Sequence, residues 1–336
     1  MAPSVLFLAD PAEDYVADTL FHGLRTLLGS GVVDHPKRTA LYSSVPEQRR
    51  ATLYGRGFTL YARLDDIPVE RDDALERAVA GEFDLVVFGS IARDWHWWVD
   101  LHDRLPAGVG KAAVDGADVP WMYPYGPTWW KRPRGWLLPR AHRRATYFKR
   151  EWTHTTGWLR WWGLVPPPLS DRLPLEPIAI SIPEQALVPE PQPKARELAT
   201  HVVDAEVARR LDRDRTGYAF SEESDYVADL RGARFGVTTR KAGWDALRHY
   251  EIAANGAVPC FRDLARKPPR CAPHGLRPGV NCLAYSDADD LFRQIDDVGD
   301  RRYAELAGGA LAWAGENTTR KRAEAFLARL GLVSRG

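Results

Sequence analysis

Between Phe235 and Phe261 the chain reads FGVTTRKAGWDALRHYEIAANGAVPCF, and the residue types there suit one chemistry. Arg240 and Lys241 are adjacent cations in a polar loop, Thr238, Thr239, Arg240, Lys241, Ala242, Gly243, that ends in glycine. A basic loop ahead of a helix makes an anion site, because the first helical N–H groups are unpaired and the helix dipole is positive there. A diphosphate fits. Glu251 stands ten residues beyond Lys241, too far into the helix for the same phosphate. It suits a hydroxyl-bearing group attached to that phosphate, since a carboxylate accepts two hydrogen bonds from a vicinal diol. The plain alternative is a surface βαβ unit with a solvated Arg-Lys pair and a helix salt bridge from Arg248 to Glu251.

Asp10 and Asp14 lie in an acidic loop after the apolar run Val5 to Ala9. In a doubly wound sheet, loops at the carboxyl ends of strands face the ligand crevice, so both are placed for chemistry. For Asp14 the competing reading is a helix N-cap. Cys271 and His274 have C-x-x-H spacing and, with Cys260 and Cys282, offer the donor types of a Cys₃His zinc site. No second close-spaced pair exists and Cys260 reads as a buried strand residue, so no metal is expected.

The elements that must hold these residues alternate. Val5 to Ala9 reads as a strand, and Tyr15 to Leu28 as a helix with Val16, Leu20, Leu24 and Leu27 on one face, closed by Gly29. Val32 to Asp34 and Phe58 to Ala62 are weaker strands, and Asp72 to Ala80 is helical. Asp84 to Ser90 is the clearest strand, Ile91 to Leu105 a helix, and Lys111 to Asp118 a strand ending in the acids Asp115 and Asp118. PIAISIP, Pro177 to Pro183, reads as a strand, and EQALVPEPQP, Glu184 to Pro193, as a proline-rich linker. Beyond it, Lys194 to Leu211 ends in a helix, Tyr218 to Phe220 is a short strand, and Ser221 to Arg231 is a helix. In the central segment, Phe235 to Thr239 is a strand, Trp244 to Ala254 a helix stopped by Asn255-Gly256, and Ala257 to Phe261 a strand. Asn281 to Tyr285 (strand), Asp287 to Val298 (helix) and Tyr303 to Leu332 (helix) follow. The pattern predicts an α/β protein with two Rossmann-like domains, 1–183 and 194–336.

The segment GWDALRHYEIAANGAVPCF resembles the donor-nucleotide motif of GT-B-fold glycosyltransferases, through the pattern of an arginine, two residues, E-[IA]-x-A-x-G-x-[VI]-P in the group 1, exostosin-like and CgeB-like families. Glu251 matches the glutamate that binds the ribose there, Arg248 the arginine three positions earlier, and Gly256 and Pro259 the turn and strand that follow. Many retaining members carry a second glutamate eight positions upstream; here that position is Gly243, so the resemblance leans to the inverting pattern. It implies two domains facing across a cleft, a nucleotide-sugar donor at Thr238 to Lys241, Gly243, Arg248 and Glu251, and no metal or other cofactor. An inverting transfer needs one general base from the first domain. The candidates are Asp10, Asp14 and Asp115, with His22 a weaker choice.

At 336 residues, 45% hydrophobic and 27% charged, the chain suits two globular domains, and a net charge of +1 gives no whole-protein field for nucleic acid. No run is long enough to span a bilayer and no basic leader precedes Val5, so a cytoplasmic protein is expected. Trp95 to Trp162 holds eleven of the thirteen tryptophans, and Lys131 to Arg160 carries nine Lys or Arg against Glu151 alone. That mixture suits a tryptophan-rich core with a basic border, peripheral contact with a membrane or lipid-linked acceptor, a glycan acceptor, or single-stranded nucleic acid. The leading expectation is a glycosyltransferase. The alternatives are a non-catalytic nucleotide- or glycan-binding module and a nucleic-acid-directed protein.

Overall fold

A computed structural model describes residues 2–123, 141–156, 175–212 and 219–332. The first sheet is built from β1 (Val5–Leu8), β2 (Val32–His35), β3 (Leu85–Phe88), β4 (Gly110–Asp115), β5 (Thr146–Lys149) and β6 (Leu175–Pro177). Between them run α1 (Tyr15–Leu28), α2 (Glu47–Arg50), α3 (Ala74–Ala80), α4 (Trp95–Leu101) and α5 (Ala141–Arg144). The strands are parallel, in the order β2-β1-β3-β4-β5-β6. Val5 and Phe7 of β1 pack with Leu20 and Phe21 of α1 on one face, and Leu6 and Leu8 pack with Phe88 and Trp98 on the other. Burial on both faces is why these strands read as unbroken apolar runs rather than alternating ones. The order reverses between β1 and β3, and a crevice forms at the carboxyl ends of strands where such a reversal occurs.

The second sheet is also parallel, in the order β10-β9-β8-β7. It comprises β7 (Arg196–Leu198), β8 (Ala233–Thr238), β9 (Val258–Arg262) and β10 (Leu283–Tyr285). Its helices are α6 (Ala205–Arg210), α7 (Glu223–Gly232), α8 (Leu247–Ala254), α9 (Ala288–Asp296), α10 (Asp300–Glu316) and α11 (Thr319–Arg329). Gly236 lets α8 close on β8: a Cβ there would sit 2.8 Å from the Ile252 side chain.

The last helix returns to the first sheet. Phe326 of α11 meets Phe148 of β5 with ring centroids 4.5 Å apart, and Thr319 Oγ1 lies 3.0 Å from His22 Nδ1 of α1. Gly23 makes the approach feasible, since a Cβ there would stand 1.9 Å from the Thr319 carbonyl oxygen. The expected helix Tyr303 to Leu332 is therefore two helices, broken at Asn317-Thr318, where the Ile182 and Asn317 backbones bond at 3.1 Å.

Other expectations change in detail. Phe58 to Ala62 is no strand: Thr59 and Ala62 have φ of 70° and 60°, a left-handed conformation that breaks a ladder. Pro177 to Pro183 joins the sheet only at its first residue. Ile178, Ile180 and Ile182 instead enter the first core, and Ile180 N–H donates to Asp245 Oδ2 at 2.7 Å, so the segment ties the two halves. The helix expected from Trp244 starts at Leu247, and Ala219 and Phe220 form no strand. Tyr218, and Trp129, Trp130, Trp136, Trp158, Trp161 and Trp162 of the aromatic-basic region, lie outside the described residues. Of the others, Trp98 is fully buried against Phe88 and His102, and Trp152 lies under Arg270. No helix of the described residues is long and apolar enough to cross a membrane.

Candidate functional site

Where β8 runs into α8, the loop 239–246 is tied at its base by one histidine. His249 Nε2 faces the Trp244 carbonyl at 3.0 Å, and a carbonyl only accepts, so Nε2 carries the proton. Nδ1 then accepts from the Thr238 hydroxyl at 2.8 Å. Burial pushes this imidazole down to about 3, and it stays neutral in that role. Thr238, expected as a donor ligand, is thus buried and bonded inside its own domain.

The N-terminus of α8 opens on a cavity of about 610 Å³ between the two sheets. Its N-cap is Ala246, so no side chain caps the first amides. Lys241, Ala242, Asp245, Leu247, Arg248 and Glu251 complete this wall. Arg248 Nε is buried without a hydrogen bond. Glu251 is buried, accepting at Oε1 from the Thr59 hydroxyl and at Oε2 from the Tyr226 hydroxyl, both at 2.7 Å. Asp245 accepts from the Ile180 amide and at 3.0 Å from the Tyr250 hydroxyl; burial raises it to about 6 against the pull of Arg150.

The opposite wall comes from the carboxyl ends of the first sheet: Glu13, Asp14 and Tyr15 after β1, Ser90 and Arg93 after β3, Gly116 to Asp118 after β4, and Arg150 after β5. Asp14 Oδ1 caps α1, accepting from Val16 and Ala17 N–H at 3.1 and 3.3 Å, while Oδ2 accepts from the Ser90 hydroxyl at 2.9 Å. Buried Arg150 pairs with Asp118 and lies 4.0 Å from Glu151, and its Nε has no hydrogen bond. Glu151 crosses the gap to accept from Trp244 N–H at 2.7 Å. Gly243 stands at this contact, where a Cβ would come 2.5 Å from oxygens of both Asp118 and Glu151.

The cavity therefore gathers Asp14, Lys241, Arg248 and Glu251 of the expected residues and leaves others out. Asp10 is exposed off the cavity wall, its Oδ1 taken by the Ala12 amide at 2.8 Å. Asp115 is buried, ion-paired to Lys149 at 2.9 Å and bonded by the Tyr147 hydroxyl at 2.5 Å, which removes it as a base for an incoming hydroxyl. Thr239 lines a separate open depression with Asp204 and Arg262, and Arg240 lies over the Trp244 ring at 5.0 Å. His22 is buried against α11. Cys260, Cys271 and Cys282 are buried free thiols, and the described residues contain no group of three or more His, Cys, Asp or Glu able to hold a metal.

Sequence reading missed Arg150, Ser90, Tyr226 and His201 on the cavity wall. Asp118 had a signal, its place in an acidic turn after a strand. Arg150 had none, being one of many arginines in a basic stretch. His201 accepts the Ala219 amide at Nδ1 (3.4 Å), and burial lowers it to about 3; its Nε2 is buried without a partner.

No protein-family model matches the chain, and no curated protein sequence matches it. Solved structures do. Anabaena HepE in complex with UDP superposes with a TM-score of 0.57 at 11% identity, over 98% of this chain and 100% of that one. HepE with UDP-glucose gives a TM-score of 0.53 at 9% identity, over the same shares of the chains. A glycosyltransferase from Rickettsia africae gives 0.56 at 8% identity, over 100% of each chain. At these identities the likeness is one of fold. The chain has the GT-B architecture, two parallel α/β domains with a cleft between them.

Proposed function

We propose that this protein is a glycosyltransferase that moves a sugar from a nucleoside diphosphate sugar to an acceptor hydroxyl. One observation carries the reading: the uncapped end of α8, with Lys241, Arg248 and Glu251, shares a single cavity with the first-domain carboxylate Asp14. The cavity volume of about 610 Å³ lies in the range of small-molecule sites. When the glycosidic bond breaks, the leaving diphosphate gains negative charge. Helix amides and two cations fixed at that place stabilise it without a metal. Glu251 holds the ribose hydroxyls. Asp14 takes the acceptor proton, and Gly243, in place of a second glutamate, favours inversion.

The bound UDP and UDP-glucose of the HepE structures make a uridine donor the first to try. A cell-surface glycan or a lipid-linked intermediate is the proposed acceptor, with peripheral membrane contact through the aromatic-basic region in the second case. The test is nucleotide binding and donor hydrolysis over UDP-, GDP- and dTDP-sugars, with a CMP-sugar, which carries one phosphate, as the contrast. Wild type should bind at least one, and Glu251→Gln should weaken it about 10- to 100-fold, the worth of hydrogen bonds to a charged group. Binding to none ends the assignment. Tight binding without turnover to any acceptor makes the chain a binding module.

A further inference from the structure

A stretch of the first domain reaches across the cleft and takes the contacts that a nucleoside would need. The segment after β2 is anchored firmly. Arg38 Nε donates to Asp18 of α1 at 3.0 Å, and the Tyr61 hydroxyl to the same carboxylate at 2.8 Å. From that base, residues 54–60 extend to α7 and α8. The Phe58 ring stacks on Tyr226 with centroids 6.0 Å apart and an interplanar angle of 27°. The next residue, Thr59, donates its hydroxyl to Glu251 at 2.7 Å. A planar ring beside a hydroxyl on that carboxylate is the outline of a base and its ribose.

One further residue latches the tip. Glu223, at the start of α7, accepts from the Thr59 N–H at 2.8 Å and pairs with both Arg50 and Arg63. Thr59 keeps a φ of 70°, unfavourable for a β-branched side chain, so these contacts hold a conformation the backbone does not prefer. The fit is also incomplete. His201 Nε2 is buried with no partner, and its ring stands edge-on to the same Tyr226 ring at 6.3 Å. A nucleobase carbonyl is the kind of acceptor it lacks.

We infer that the loop tip at Phe58 and Thr59 is a built-in competitor for the donor site, latched by Glu223 and displaced when a nucleotide binds. This rests on the proposed donor role of Glu251. A ligand that must first displace a closed state binds more weakly by the fraction of molecules that are open. Loosening the closed state should therefore tighten binding.

The experiment is calorimetric titration of UDP, GDP and dTDP into wild type, Thr59→Val and Glu223→Gln. Valine keeps the branched shape and loses the hydroxyl; glutamine loses the charge that the two arginines share. In each variant the dissociation constant should fall about five- to tenfold, and adding Glu251→Gln should reverse the gain. A loop that only buttresses the fold would lower the melting temperature in both variants and leave affinity unchanged or weakened; that result overturns the inference while the donor reading stands. If neither wild type nor the variants bind any of the three nucleotides, both fall together.

Discussion

The helix that follows β1 begins with its own carboxylate on its amides, whereas the helix that follows β8 begins with none. Asp14 caps α1 through Oδ1, and Ala246, the N-cap of α8, has no polar side-chain atom to offer. Both turns line the same cavity, one on each domain. A capped end satisfies the first amides within the chain, and an uncapped end leaves its positive dipole for something else. The same strand-turn-helix unit thus does two jobs: on the first domain it presents a carboxylate, on the second a cationic cradle. The close contact at Gly243, Glu151 and Trp244 ties the β8–α8 turn to the segment that follows β5.

Three experiments test that contrast. Asn caps a helix about as well as Asp, so Asp14→Asn should leave folding and nucleotide binding nearly unchanged. Turnover should drop about 10²- to 10⁴-fold, the usual worth of a general base. Full turnover in Asp14→Asn would move the base elsewhere, with Glu13 and Asp118 the other carboxylates on that wall.

A smaller effect is expected from making α8 resemble α1. Ala246 has φ of −149° and ψ of 143°, the extended conformation of a capping residue. In Ala246→Asp the new carboxylate should take the amides and repel a diphosphate. Nucleoside diphosphate affinity should fall about tenfold while the helix gains about 1 kcal/mol, raising the melting temperature by about 2 °C. Unchanged affinity would place the phosphates away from α8.

The smallest effect concerns what each helix buries. His22 in α1 is lowered to about 4 and His249 in α8 to about 3, mainly by burial; His201 and His274 are lowered to about 3 and about 4. Each folded value lies below the ordinary 6.5, so the unfolded chain binds protons first as pH falls. This stabilisation is complete above about pH 6.5 and is lost progressively towards the folded values. Asp94 and Asp245, raised to about 6 by burial, act in the opposite sense and favour the folded chain in acid. Asp18, raised by burial as well, acts with them, and four histidines outweigh three aspartates, so thermal melts should show stability falling from about pH 7 to about pH 4.5. His22→Gln and His249→Gln should each flatten that slope, by similar amounts if the two helices are equally buried.

Much of the framework was legible in the chain. Four consecutive buried residues in β1 and in β3 leave an apolar run that no exposed element needs. β5 and β7 were not legible. TYFK ends in a lysine that is buried only because Asp115 of the neighbouring strand neutralises it, and REL is three residues with two of them exposed. The loop tip at Phe58 and Thr59 read as a strand because its residue types favour one, and contacts to Glu223 and Glu251, more than 160 residues away, prevailed over that preference.

Local order along the chain was enough for the local chemistry: an apolar strand, a basic loop, a helix carrying Arg248 and Glu251, and a glycine stop, all fixed by neighbours within a few turns. Which carboxylates meet that helix was decided only in three dimensions. Asp10, Asp14, Asp115 and Asp118 are all acids near strand ends, and spacing does not separate them. Their fates differ because Lys149, Ser90 and Arg150 reach them from other strands, and pairing across a sheet or a cleft depends on distances that no local pattern encodes.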